Sequence, residues 1–194
     1  MPLFNLTELR AALPRDSRIL GLDPGARTIG LALSDVSLML ASPYAQIARA
    51  KLSANAHEIA ALARSVGAGA LVVGLPLSLD GSFGPAAQAA RDWTRDLSAL
   101  TCLPAALWDE RLSSSAVNRF LIGEADMTRK RRAAVVDQMA AAYMLQGALD
   151  ASAPASKKGQ GSALDPLGAA PPDPPSEMLI MNALTVCASL YKVK

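Results

Sequence analysis

The chain has 194 residues, a formal net charge of +2, 51% hydrophobic residues and 4% aromatic residues. This length suggests one domain with an extension, and the small charge does not by itself identify a nucleic-acid-binding protein. The N-terminal residues do not resemble a signal peptide, and no segment reaches the roughly 18 consecutive apolar residues of a membrane span. We therefore expect a cytoplasmic protein with no membrane partner.

The first third of the chain predicts the antiparallel part of a sheet. A short helix is expected at residues 5–13, where Asn5 and Thr7 are both candidate caps. Apolar runs at 17–23 and 28–34 predict two strands, and the turn "PGAR" between them suits a hairpin. A third strand is expected at about 44–48.

Helices and strands alternate through the rest of the predicted domain. Apolar residues at helical spacing predict helices, whereas short apolar runs bounded by Gly and Pro predict strands. The predicted segments are a helix at 53–67, a strand at 70–76, a helix at 86–100, a strand at 103–111, and helices at 114–122 and 130–149. A hairpin followed by β–α units indicates an α/β protein with a mixed sheet flanked by helices.

The composition divides the chain into three parts. Residues 1–17 form an N-terminal leader, and residues 18–150 form the predicted domain. Residues 151–194 begin with a stretch rich in Pro, Ala, Gly and Ser, which buries too little apolar surface to offset its ordering entropy. We expect this tail to be disordered.

Three carboxylates occur at informative places. Asp23 ends the first predicted strand, Glu110 ends a later one, and Asp137 lies among small residues in the last helix. Each alone has an ordinary explanation, such as a turn residue, a charge cluster with Arg111 or an ion pair. If the first and last strands are neighbours, Asp23 and Glu110 meet at the carboxyl edge of the sheet. Three such acids suit two-metal phosphodiester hydrolysis.

The small residues around Asp137 predict that its helix lies close to the sheet. The start of this helix is basic, from Arg129 to Arg132. Cations there oppose the helix dipole, so either a bound phosphate or a solvated charged turn accounts for them. Trp93 and Trp108 are interpreted as packing residues rather than base-stacking platforms.

Four segments resemble, in order and spacing, the sequence blocks of the YqgF family, over about residues 18–150. These segments are "LGLDPGARTIGLALSD", "LVVGLPLSLDGSFGP", "WDERLSSSAV" and "RKRRAAVVDQMAAAYMLQGALD". Members of this family are described as Holliday-junction-resolvase-like proteins or as pre-16S rRNA nucleases. The resemblance implies an RNase H-like mixed five-stranded sheet and nucleic-acid cleavage that depends on Mg²⁺ or Mn²⁺, with two ions.

The resemblance also assigns roles to individual residues. It implies catalytic and metal-binding roles for Asp23, Glu110 and Asp137. It implies contacts with substrate phosphates for Arg111, Lys130 and Arg131. The implied task is maturation of the 5′ end of 16S rRNA within a pre-ribosomal particle, by a monomer or a homodimer.

Three alternatives accompany this hypothesis. A Holliday junction resolvase would use the same chemistry on branched DNA, as a symmetric dimer. A non-catalytic RNA-binding or ribosome assembly factor would keep the fold, although the three acids argue against pure binding. The first block also resembles the phosphate loop of actin-like sugar kinases, but those chains are far longer and need a second phosphate loop that this sequence lacks.

Overall fold

The computed structural model describes residues 2–76, 84–109 and 129–153, and for residues 129–136 it describes the backbone only. The chain divides into two units, Met1–Ser152 and Ala153–Lys194, and every described helix and strand belongs to the first. The helix predicted at 114–122 and nearly all of the predicted tail lie outside the described residues.

The observed elements follow the predicted order. They are α1 (Leu6–Ala12), β1 (Arg18–Pro24), β2 (Thr28–Ser34), β3 (Ala41–Ala48), α2 (Leu52–Val66), β4 (Ala68–Leu75), α3 (Pro85–Thr101), β5 (Ala105–Asp109) and α4 (Arg129–Ser152). Asn5 is the cap of α1: its side chain accepts a hydrogen bond from the Glu8 N–H at 2.8 Å. Gly67 ends α2 with φ +69°, a conformation that glycine adopts without strain. The third strand is longer than predicted.

The strands form one mixed five-stranded sheet in the order β3-β2-β1-β4-β5. β1 is antiparallel to β2 and parallel to β4, and β4 is parallel to β5. The predicted mixed sheet flanked by helices is therefore confirmed. The premise that the first and last strands are neighbours is wrong, because β4 lies between β1 and β5. Local sequence patterns do not determine the order in which successive β–α units add to a sheet.

Both faces of the sheet are covered by helices. Leu20 and Leu22 of β1 belong to a core on the α2 and α3 face, which also includes Ile59 and Leu97. Ile19 belongs to the opposite core, on the α1 and α4 face. Since side chains alternate along a strand, Gly21 and Asp23 also lie on the α4 face.

No helix among the described residues is long and apolar enough to cross a membrane.

Candidate active site

Strand register aligns three residues in one row across the sheet. Asp23 of β1 lies opposite Gly30 of β2, and Gly30 lies opposite Gln46 of β3. Directly opposed residues of antiparallel strands place their side chains on the same face, with Cα atoms about 4.5–5.5 Å apart. The row therefore faces α4, near the carboxyl end of β1.

Helix α4 packs closely against this row. A Cβ atom on Gly30 would overlap the Asp137 carbonyl group, since it would lie 2.8 Å from the carbonyl carbon, and it would lie 3.4 Å from the Ala141 Cβ atom. Two turns further along α4, a Cβ atom on Gly21 would lie 2.9 Å from the Leu145 Cβ atom. Small residues on both surfaces therefore permit the close approach that the sequence predicted for this helix.

The Asp137 carboxylate is half-buried and is held by two neutral donors. Its Oδ2 atom accepts a hydrogen bond from the Thr28 hydroxyl at 2.7 Å and another from the Gln46 amide at 2.6 Å. Both donors bind Oδ2 rather than Oδ1. Hydrogen bonds to an ionised acceptor are stronger than those between neutral groups, so β2 and β3 fix the orientation of this carboxylate.

Thr28 and Gln46 were not identified from the sequence. Thr28 is the first residue of β2, and its position after the turn gives no sign of a partner 109 residues away. Gln46 meets Asp137 only because β2 and β3 pair in this register, which shifts at an irregularity between Leu31 and Ala32. No local sequence signal specifies that shift.

Asp23 and Asp137 occupy the same region of the sheet edge. Asp23 is half-buried beside Gly30, and Gly30 packs beneath the backbone of Asp137. The two acids come from residues 114 positions apart in sequence (137 − 23). The structure thus brings together two of the three carboxylates that the sequence predicted as a site.

The remaining predicted site residues are not described at side-chain level. Glu110 and Arg111 lie outside the described residues, and Lys130 and Arg131 lie in the first turn of α4, where only the backbone is described. β5 pairs in parallel with β4 as far as Asp109, so both strands end at the same edge as β1. Within the described residues, no group of three or more His, Cys, Asp and Glu side chains is positioned to hold a metal ion.

The donor chemistry at this edge suits a hard divalent cation. Carboxylate oxygens are preferred ligands of Mg²⁺, which retains several water molecules and needs few protein ligands. Asp23 and Asp137 provide such oxygens. Thr28 and Gln46 are uncharged and donate hydrogen bonds to the Asp137 carboxylate. They are therefore suited to orienting a carboxylate that binds the ion, rather than to binding the ion themselves.

The sheet order β3-β2-β1-β4-β5, with helices on both faces, defines a mixed α/β protein. Residues 17–151 match the model of the RuvX family, described as Holliday junction resolvase. The chain belongs to this family, also called YqgF, which confirms the resemblance noted in the sequence.

Similar proteins from two bacteria carry the same name, "Putative pre-16S rRNA nuclease". The chain is 69% identical to the protein of Gluconacetobacter diazotrophicus over 153 residues, which cover 79% of this chain and 99% of that protein. It is also 69% identical to the protein of Gluconobacter oxydans over 154 residues, which cover 79% and 96% of the two chains. A solved structure, "T. thermophilus RuvC in complex with Holliday junction substrate", has 13% identity, a TM-score of 0.45, and coverage of 70% of this chain and 94% of that one.

Proposed function

We propose that this protein is a metal-dependent endonuclease that processes the 5′ end of the 16S rRNA precursor in the cytoplasm. The observation that carries the proposal is that Gly30 lies opposite Asp23 in the strand register and packs beneath the backbone of Asp137, near the carboxyl end of the central strand. The names of relatives at 69% identity support the RNA substrate. A chain this similar over nearly the whole length of those proteins is expected to act on the same class of substrate.

We propose that Glu110, which lies outside the described residues, completes the site with Asp23 and Asp137. Asp23, Asp137 and Glu110 would hold two Mg²⁺ or Mn²⁺ ions. When bound, such ions increase the acidity of the attacking water and neutralise charge that develops at the scissile phosphate. Hydrolysis adds water across one P–O bond and leaves a 5′ phosphate and a 3′ hydroxyl.

Other residues of the chain orient the Asp137 carboxylate and bind the substrate. Thr28 and Gln46 hold the Asp137 carboxylate in one orientation, which reduces the reorganisation needed when a ligand arrives. Arg111, Lys130 and Arg131 would contact substrate phosphates. Phosphate contacts of this kind position a nucleic acid without reading its sequence.

The test compares two substrates and two matched variants. A 16S rRNA precursor and a four-way DNA junction are incubated with Mg²⁺, Mn²⁺ or EDTA. The proteins are wild type, Asp137→Asn and Asp150→Asn; the last removes the same charge from an exposed position near the end of the same helix. We expect metal-dependent cleavage of the RNA by wild type and Asp150→Asn, and its loss in Asp137→Asn.

Two other outcomes of this test would indicate a resolvase or an assembly factor instead. Cleavage of the junction alone would identify a resolvase, the activity in the family's description. Such an enzyme would be a dimer by light scattering, because two symmetric cuts need two sites. Binding to pre-ribosomal particles in sedimentation without cleavage of either substrate would identify an assembly factor, and would contradict the proposed hydrolase.

A further inference from the structure

A second feature of the same sheet edge is a cavity of about 290 Å³ beside the carboxyl end of β1. It lies between the turn after β1, the residue after β4 and the first turns of α3. Its walls include Pro24, Gly25, Pro76, Ala89, Arg49 and Trp93. Asp23 immediately precedes Pro24, but its side chain lies on the α4 face, so the cavity and the Asp23 carboxylate lie on opposite faces at the same carboxyl end of β1.

Arg49 is held in position at the mouth of this cavity. One terminal nitrogen of its guanidinium donates hydrogen bonds to the carbonyl oxygens of Pro24 at 3.2 Å and Gly25 at 2.7 Å. Its backbone N–H donates to the Arg27 carbonyl at 2.9 Å, which ties the end of β3 to the β1–β2 turn. The orientation of this exposed arginine is therefore fixed by backbone groups.

Arg49 and Trp93 form one recognition surface. The Arg49 Cζ atom lies 5.9 Å from the centroid of the Trp93 ring, within the range of a cation–π contact. Trp93 packs against the core with part of its surface, as the sequence predicted, and is only half-buried. The rest of its surface lines the cavity, a role that the sequence did not indicate.

The residues that line the cavity indicate which class of ligand it binds. Alanine methyl groups and proline rings provide small apolar walls, and Trp93 adds a flat aromatic surface. Among the described residues that line the cavity, Arg49 is the only charged one. A flat aromatic group attached to an anionic backbone would fit such a surface. Unpaired nucleobases are groups of this kind, and they stack on aromatic rings and on the planes of arginine guanidinium groups.

We propose that this cavity binds one unpaired nucleobase of the nucleic-acid substrate, at the carboxyl end of β1 and across the sheet edge from the proposed cleavage site. The inference rests on the proposed function and refines its substrate class, since a base within a continuous duplex is stacked between neighbours and does not enter such a cavity. The preferred substrate therefore has an unpaired nucleotide within a few nucleotides of the cleavage site.

The first experiment measures binding without catalysis. In EDTA, fluorescence anisotropy gives the dissociation constants of a short single-stranded RNA and of an abasic oligonucleotide with the same length and charge. Wild type is expected to bind the RNA about tenfold more tightly than the abasic oligonucleotide, which is the usual effect of stacking one base. Equal affinity of wild type for the two oligonucleotides would overturn the proposal.

Substitutions then test whether the preference for RNA over the abasic oligonucleotide arises in this cavity. Arg49→Gln is expected to remove most of the preference for the RNA over the abasic oligonucleotide, and Arg49 is exposed, so the fold is expected to persist. Arg95→Gln is the matched control, because Arg95 lies on α3 outside the cavity lining and pairs with Asp92 and Asp96 on the surface. Trp93→Leu is expected to lose the preference and Trp93→Phe to retain much of it, with thermal unfolding used to confirm that each variant is folded.

The failures of the two proposals are distinguishable. A preference for bases that survives in Arg49→Gln, or that falls equally in Arg95→Gln, would overturn the cavity assignment even if wild type cleaves RNA. A base preference that depends on Arg49 in a protein that cleaves neither substrate would support the cavity and contradict the nuclease.

Discussion

Gly30 and Asp137 pack backbone against backbone, and this contact places a helix carboxylate over the central strands of the sheet. No side chain larger than hydrogen fits at residue 30, because its Cβ atom would overlap the Asp137 carbonyl group. The same glycine lies between Asp23 and Gln46 in the strand register. The geometry of the proposed site therefore depends on a residue with no functional group.

Gly30→Ala is expected to destabilise the protein by about 1–3 kcal/mol, the usual cost of overpacking a well-packed interface. The clash is with backbone, which has no alternative rotamer, so α4 must shift. Urea denaturation followed by circular dichroism measures the change. Gly147→Ala is the control, because there the nearest neighbour is the Trp108 side chain at 3.3 Å and alanine also favours the helix. An unchanged stability in Gly30→Ala would mean that α4 does not lie on β2 as described.

The donors to Asp137 provide a second prediction. Thr28→Val and Gln46→Leu each remove one hydrogen bond to Asp137 Oδ2. Substitutions of residues that orient a ligating group typically weaken metal binding by about 10–100-fold. Calorimetric titration with Mn²⁺ should show this loss in both variants. Gln88→Leu, which removes an exposed amide bonded to Asp92 on α3, should bind as wild type does. Equal affinity in all four proteins would show that Thr28 and Gln46 do not position a metal ligand.

Most elements, and two of the proposed acids, were predictable from local patterns. The strands β1 and β2 follow from apolar runs around a Pro-Gly turn, and α2 ends at the glycine that stopped its periodic pattern. The small residues around Asp137 indicated a close approach of its helix to the sheet, and the structure shows one of them, Ala141, against Gly30 of β2.

The remaining features depend on contacts between distant segments. The sequence premise of adjacent β1 and β5 was wrong, since each pairs with β4 instead. The role of Gln46 follows from a register shift in the pairing of β2 with β3. Trp93 packs against the core as predicted, but the base-stacking role proposed for it departs from the sequence interpretation, because its surface in the cavity depends on where the β1–β2 turn lies. Hydrophobic periodicity reports which face of an element is buried, not which elements become neighbours.

Asp23→Asn tests the proposed role of the strand carboxylate separately from that of Asp137. The substitution keeps the shape of the side chain and removes its charge at a half-buried site at the end of β1. We expect a fall of orders of magnitude in the single-turnover cleavage rate, because a neutral amide is a poor ligand for Mg²⁺. The melting temperature should change little, which separates a catalytic from a structural effect. Cleavage at the wild-type rate with Mg²⁺ would show that the site lies elsewhere.

Asp35 gives the protein a predictable acid-sensitive loop, away from the proposed site. Its Oδ1 atom accepts backbone N–H bonds from Leu40 at 2.9 Å and Met39 at 2.8 Å, and its Oδ2 atom accepts a bond from the Ser37 hydroxyl. These donors, led by Leu40, lower the pKa of Asp35 from 3.8 to about 2. Because the pKa is lower in the folded state, the charged form stabilises the fold above about pH 4, and this stabilisation disappears as the pH falls towards 2. The difference in unfolding free energy between wild type and Asp35→Asn, measured by urea denaturation, should be constant above pH 4 and shrink below it. A difference that does not change with pH would show that the charge of Asp35 does not hold the loop.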